Sequence, residues 1–407
     1  MDNVSELEAI SSRIKSLSLE SQLALYLSVS LMAIVIVVGC AGNLMVILAV
    51  RTTKKLQIVS NAFVVNLSVC DLLFVTIVLP FNIYTYLSDG WTLPVLLCKF
   101  VGFLGYTLTG TTIITITLIA WNRYKLVVSP QGYKQLFSPI RIAVMLLAAW
   151  VLPMICLFPA LLEVWGRFGY VSMMVTCNLL LDHDSQSFKL FLLIVRAAIP
   201  CGLIIYYYVR IYRTTIASHR RVKQGRLLAS PTNRLDQQIQ RKEMHLTKMM
   251  ATIFIVFALS YFPCTISSIV DWNTVLSKRF HMFCLITVYV GSAVNPLIYG
   301  LMNSQFRHAY YTILLCRCCS PNADVNSKSA ATSSSVYRKN VMIKSVAKDQ
   351  EDRRGILTSD QSATPMSSPE QVAKISKMLH RTETEKTYVS YYEDNAGSDD
   401  PDPFNAI

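Results

Sequence analysis

Residues 98–124, CKFVGFLGYTLTGTTIITITLIAWNRY, decide how the chain folds. Taken at steps of three and four, Cys98, Gly102, Gly105, Thr109, Thr112, Ile116, Ile119 and Arg123 share one face of a helix. Cysteine opens that face, glycine and threonine fill its middle, and arginine closes it. The other side carries Phe100, Leu104, Leu108, Ile114 and Leu118, a composition suited to lipid. Small residues on an inward face let a neighbouring helix or a ligand approach the backbone closely. The stretch therefore reads as a membrane helix with a polar inner face, ending in Trp121-Asn122-Arg123-Tyr124.

The rest of the chain continues in the same vein. Of 407 residues, 53% are hydrophobic and only 15% are charged, where a soluble domain carries about 25%. Apolar runs fall at about 26–50, 61–86, 98–127, 140–161, 188–212, 246–269 and 280–301. Each is long enough for the ~30 Å of hydrocarbon in a bilayer. A net charge of +13 raises the question of nucleic acid, but the basic residues cluster in the segments between spans. Arg51, Lys54 and Lys55 follow the first span, Lys125 and Lys134 follow the third, and Arg210 to Lys248 holds ten basic residues against two acidic. That pattern places these connections in the cytoplasm beside anionic lipid and the N-terminus outside, with no nucleic-acid partner.

Four segments follow. Residues 1–25 are mixed polar, do not read as a cleavable signal, and hold the sequon Asn3-Val4-Ser5, a glycosylation candidate at Asn3. Residues 26–303 are the seven-span membrane domain, an all-α bundle. Residues 304–319 read as an amphipathic helix on the membrane surface, with Phe306, Tyr310, Ile313 and Leu314 toward lipid. Cys316, Cys318 and Cys319 close it as palmitoylation candidates. The remaining 320–407, poor in large apolar groups, reads as a disordered cytoplasmic tail. Six other cysteines (Cys40, Cys70, Cys156, Cys201, Cys264 and Cys284) lie inside spans and read as free thiols.

Trp121-Asn122-Arg123-Tyr124 at one end of the helix and Cys98 at the other closely resemble the third helix of rhodopsin-like G-protein-coupled receptors. Asn295-Pro296-Leu297-Ile298-Tyr299 matches the family's Asn-Pro-x-x-Tyr motif in full, and its proline permits a bend that can change on activation. The resemblance covers about residues 26–320. It implies a disulfide between Cys98 and Cys177. It also implies a repacking core of Pro200, Ile113 and Phe257, and an inner partnership of Tyr208 with Tyr299. Two departures are notable. The usual Asp-Arg-Tyr is Asn122-Arg123-Tyr124, and the usual Cys-Trp-x-Pro is Ser260-Tyr261-Phe262-Pro263. These look most like the invertebrate orphan group of moody and trapped in endoderm. Glu243 stands where many relatives place the acid that pairs with the arginine, and Asn122 removes that arginine's neighbour on its own helix.

Polar residues inside the spans gather at matching depth: Asn43, Asp71, Thr112, Ser292 and Asn295. A carboxylate in mid-membrane costs about 2.5–3.5 kcal/mol on insertion scales and needs partners. In the family such residues bind a sodium ion, the one cofactor-like species the resemblance implies. Gly291, where relatives carry another asparagine, weakens that reading. The other is a polar network that only holds helices together.

The resemblance implies a receptor, not an enzyme, that turns binding of an extracellular ligand into activation of a heterotrimeric G protein, with arrestin and a receptor kinase as further partners. The alternative is a constitutively active or adhesion-type receptor working through its tail. A retinal receptor needs a lysine between Phe280 and Leu301, and there is none. An aspartyl protease needs two buried aspartates, and Asp71 alone is well inside a span. Amine receptors place an aspartate where Gly105 stands. Arg196 lies one turn before Pro200 on the inward stripe Arg196, Pro200, Ile204, Tyr208. An arginine at that depth points to an anionic or lipid-like ligand, with Gly105, Tyr106, Thr109, Tyr261 and Cys264 lining the pocket. Otherwise Arg196 pairs with Glu163 or Asp271, or bonds carbonyls, and touches no ligand.

Overall fold

Lipid tails are as apolar as leucine, so shape matching and interhelical hydrogen bonds must hold membrane helices together. The computed structural model describes residues 2–180, 182–224, 232–270 and 276–315, with side chains at 22–180, 182–217, 244–267, 269–270 and 276–315. Among them seven helices are long and apolar enough to cross a membrane: Gln22–Thr52, Val59–Leu87, Val95–Val128, Pro139–Leu161, His183–Ala217, Met244–Ser267 and Lys278–Met302. Residues Met1–Tyr310 form one compact unit, and of the second, which starts at Tyr311, only the end of a helix is described.

The helices coincide with the apolar runs to within a few residues, apart from four ends, two of which carry the fifth helix on to Gln224 and start the sixth at Thr232. The first is continuous from Asp2, through the segment expected to precede it. The fifth begins at His183, because Ser185, Gln186 and Lys189 are buried although polar, and hydropathy alone does not register them.

The third helix occupies the centre. Cys98, Gly102, Thr112, Ile116, Ile119 and Arg123 are buried as the stripe requires. Phe100 is exposed, but Leu108, expected to face lipid, is fully buried. Helices pack around the third from several sides, so only a narrow strip of it reaches the surface.

Hydrogen bonds tie the bundle at several levels. Asn66 of the second helix donates to Thr115 of the third at 2.9 Å and accepts from Trp150 of the fourth at 2.9 Å. Its Asn-x-Ser sequence is thus an interior feature of the bundle. Asn82 donates to the Tyr289 hydroxyl at 3.0 Å and accepts from Thr176 at 2.7 Å. The second and fifth helices each include a π turn, Phe74–Val78 and Leu193–Ala198.

Between the fourth and fifth helices, strands β1 (Phe168–Val171) and β2 (Thr176–Leu179) form an antiparallel hairpin that pairs Tyr170 with Cys177. The Cys98–Cys177 disulfide, with α-carbons 5.3 Å apart, fastens the hairpin to the third helix. After the seventh helix, Ser304–Leu314 forms the expected short helix. Phe306 and Tyr310, however, turn toward the bundle. Phe306 is buried with its ring 5.3 Å from Tyr299, and the Tyr310 hydroxyl donates to the Pro296 carbonyl at 3.3 Å. The carbonyl of Pro296 and the flat face of Tyr299 offer these aromatic groups better partners than lipid does.

Candidate functional site

The hairpin covers part of a cavity of about 190 Å³, partly open to the outside, between the second, third, fifth, sixth and seventh helices. Gly105, Tyr106, Thr109, Arg196, Tyr261 and Cys264, the residues expected from sequence, all line it. Ile113 and Phe257 line it too, while Pro200 is buried outside the lining. The Tyr261 ring stacks on Phe257 with centroids 4.3 Å apart, linking the cavity to that core.

Arg196 sits on the π turn of the fifth helix. Its Nη2 donates to the Tyr106 carbonyl and, at 2.7 Å, to Thr109 Oγ1. The guanidinium carbon lies 5.3 Å from the Tyr106 ring centroid, a cation–π distance. Bonding to a carbonyl is one of the alternatives open from sequence. Pairing with Glu163 is not made, because Glu163 binds Lys99, and Asp271 lies outside the described residues. The guanidinium is nevertheless only half engaged, since its Nε is buried without a partner. Gly110 makes the arrangement possible: a Cβ there would lie 3.1 Å from Arg196 Nε and 2.8 Å from Pro153.

Lys189 also lines the cavity, and sequence reading passed over it. It is 4% exposed, and its Nζ has no hydrogen-bond partner. A lysine seven residues before Arg196, on the same predicted face, was the signal that could have found it. Gly110 lies off the inward stripe and gave none.

Deeper in the bundle, Asn295 donates to Asp71 at 2.8 Å, and Ser292 hydrogen-bonds the same carboxylate. Asn43 donates to the carbonyls of Gly39 and Ser292, each at 3.0 Å. Asn43, Asp71, Ser292 and Asn295 are thus one network, and Thr112 adjoins it through Cys70, the residue before Asp71. Asn43 Oδ1 and Ser68 Oγ are buried without partners, and unsatisfied oxygens near a carboxylate suit a hard cation. Gly291 adds no oxygen. A Cβ there would lie 3.1 Å from Ser260 Oγ, so a side chain at this position would require Ser260 to shift.

At the far end Arg123 is 6% exposed and borders a small cavity with Asn61, Phe63 and Met250. Asn122 Nδ2 donates to the Tyr133 hydroxyl at 2.9 Å. Tyr133 belongs to a short helix, Tyr133–Leu136, whose neighbour Phe137 packs on Trp121. Tyr124 stacks on Tyr207 at 5.1 Å. The expected partnership of Tyr208 and Tyr299 is not made: each hydroxyl is buried without a hydrogen bond. Tyr299 instead stacks on Phe306. Glu243 and Asn3 lie on described helices, but their side chains fall outside the described residues, as do Cys316, Cys318, Cys319 and the tail.

A membrane bundle of seven helices, with a partly covered cavity at one end and a buried arginine at the other, has the layout of a transmembrane receptor. The "7 transmembrane receptor (rhodopsin family)" matches residues 42–299, and the chain belongs to that family. It is 30% identical to "G-protein coupled receptor moody" of Drosophila melanogaster over 70% of this chain and 50% of that protein. Identity to "Protein trapped in endoderm-1" of the same fly is 28%, over 68% of this chain and 74% of the other. The chain spans about half the length of moody. The crystal structure of squid rhodopsin superposes with a TM-score of 0.65 over 75% of this chain and 90% of its own, at 21% identity, a likeness of fold.

Proposed function

We propose that the protein is a plasma-membrane receptor, N-terminus outside, that couples an extracellular anionic or lipid-like ligand to a heterotrimeric G protein. One observation carries the ligand class: Arg196 lines the cavity with its buried Nε unpartnered, and among the described residues no carboxylate lines the cavity to neutralise it. A carboxylate or phosphate accepting from the guanidinium would supply a charge-assisted bond. Apolar neighbours such as Leu192, Leu285 and Val288 suit a hydrocarbon portion.

Ligand contact with Tyr261 would pass through the stacked Phe257 ring to Ile113 and let the sixth helix swing outward at Pro263, opening a cleft beside Arg123. The unpartnered hydroxyls of Tyr208 and Tyr299 support this reading, because a rearranged inner end could join them. Asp71, Ser292 and Asn295 would hold sodium in the inactive form, so agonist affinity should fall as sodium rises. Arrestin and a receptor kinase would act on the tail. In this reading Asn3 carries glycan, and Cys316, Cys318 and Cys319 carry palmitate.

The test is response to acidic agonists at matched surface expression. Arg196→Lys should keep weak activation through charge alone, and Arg196→Leu should lose it. An unchanged response in Arg196→Leu would end the proposal. A second reading, signalling without a small-molecule ligand, draws support from Asn122, whose amide is taken by Tyr133 and offers Arg123 no carboxylate. High nucleotide exchange without ligand, unaltered by Arg196→Leu, would favour it.

A further inference from the structure

Lys189 and Arg196 stand seven residues apart on the fifth helix, about 10 Å along its axis at 1.5 Å per residue. Both line the cavity, and each keeps a buried nitrogen without a hydrogen-bond partner, Nζ of Lys189 and Nε of Arg196. Asp182 is the carboxylate whose field reaches Lys189. Its Oδ2, however, accepts from Arg167 at 2.7 and 3.2 Å, and its Oδ1 makes no bond. Among the described residues no aspartate or glutamate lines the cavity. A buried cation that hydrogen-bonds no carboxylate is costly, so a cavity lined by this lysine and this arginine is incomplete by itself. At that spacing a ligand with two anionic groups can engage both residues at once. Leu192, Leu193, Ile269, Leu285 and Val288 give the same cavity an apolar part of its lining.

We propose that the cavity takes a ligand with two anionic groups joined by an apolar chain, one group on Lys189 and the other on Arg196. This rests on the reading of Arg196 as an anion anchor and adds the second anchor, hence the ligand's length and charge. A ligand with a single acidic group would satisfy one cation and leave the other bare. Lys189 would then discriminate between acidic lipids by what they carry at the far end.

The experiment measures binding of straight-chain carboxylates to the full-length receptor in lipid nanodiscs, read as a thermal shift against concentration. The probes are α,ω-dicarboxylates from octanedioate to tetradecanedioate and the monocarboxylates of equal length. Wild type should bind the best-fitting dicarboxylate about tenfold more tightly than its monocarboxylate, as one further bond between charged groups provides. Lys189→Gln should abolish that preference while keeping monocarboxylate affinity, which also shows that the variant is folded. Lys189→Arg should retain the preference. Equal affinities in wild type, or a preference that survives Lys189→Gln, overturns the two-anchor proposal while the Arg196 reading stands. A preference that emerges only in Asp182→Asn overturns it too, because Lys189 would then be neutralised within the protein. Monocarboxylate binding that survives Arg196→Gln, or no binding of any probe, overturns the Arg196 reading and this proposal together.

Discussion

Arg196 gives Nη2 to the third helix and keeps Nε without a partner, so it is positioned by the protein but not saturated by it. Gly110 sets this balance, since any Cβ there meets both Pro153 and the guanidinium. Gly110→Ala should lower thermal stability by about 1–3 kcal/mol, the range for overpacking a tight interior. It should also weaken the response to acidic agonists more than that of a control such as Gly202→Ala, where a Cβ meets nothing. At the other end, Asn122 and Tyr133 form one hydrogen-bonded pair. Tyr133→Phe and Asn122→Ala should therefore shift basal nucleotide exchange in the same direction, and the double variant should be no more than either alone; additive shifts would show that the residues act separately. Arg196 was legible in the sequence because a charge inside an apolar run is conspicuous. Lys189 was not, because it falls in the polar first turns of a helix, where a lysine is usually solvated. Tyr133 lay in a connecting segment with no periodic pattern to place it.

Among the elements, the interhelical bonds should govern stability. Asn66 serves the second, third and fourth helices at once, so Asn66→Ala should cost about 0.6–2 kcal/mol per lost bond and lower the melting temperature. Asn66→Asp should be worse, since it buries a charge whose second oxygen faces Thr115 Oγ1, a hydroxyl already donating to the Thr111 carbonyl. The segment covering the cavity adds a dependence on pH. A hydrogen bond from Lys99 holds the Glu163 carboxyl below its ordinary value. Partial burial would raise Asp182, but hydrogen bonds from Ser185 and Arg167 outweigh it and hold that group low as well. With folded values below the unfolded ones, both groups stabilise the fold above the unfolded value, and that contribution is lost as pH falls through the folded values. Melting of the receptor should therefore fall in acid, and Glu163→Gln with Asp182→Asn should flatten the lower limb of that profile. The seven helices were legible because long apolar runs admit few readings. The π turns at Phe74–Val78 and Leu193–Ala198 were not, since one residue more per turn leaves hydropathy unchanged. Phe306 and Tyr310 were assigned to lipid because an amphipathic stripe does not say which apolar surface it meets.

For the molecule as a whole, the family and the order of its motifs were readable from residues 98–124 and 295–299, where residue types and spacing recur together. How the two ends communicate was less so, because it depends on contacts between helices distant in sequence, such as Asp71 with Asn295. On the proposed function, the buried arginine at one end is the element that meets the G protein once the cavity at the other end is filled. The most direct test is guanine-nucleotide exchange on a panel of heterotrimeric G proteins by the purified receptor in nanodiscs, with and without an acidic agonist, for wild type and Arg123→Ala at equal amounts. Wild type should accelerate exchange on at least one G protein, and Arg123→Ala, still folded and still binding agonist, should not. Exchange by Arg123→Ala at the wild-type rate, or no acceleration by wild type on any member of the panel, would contradict the account.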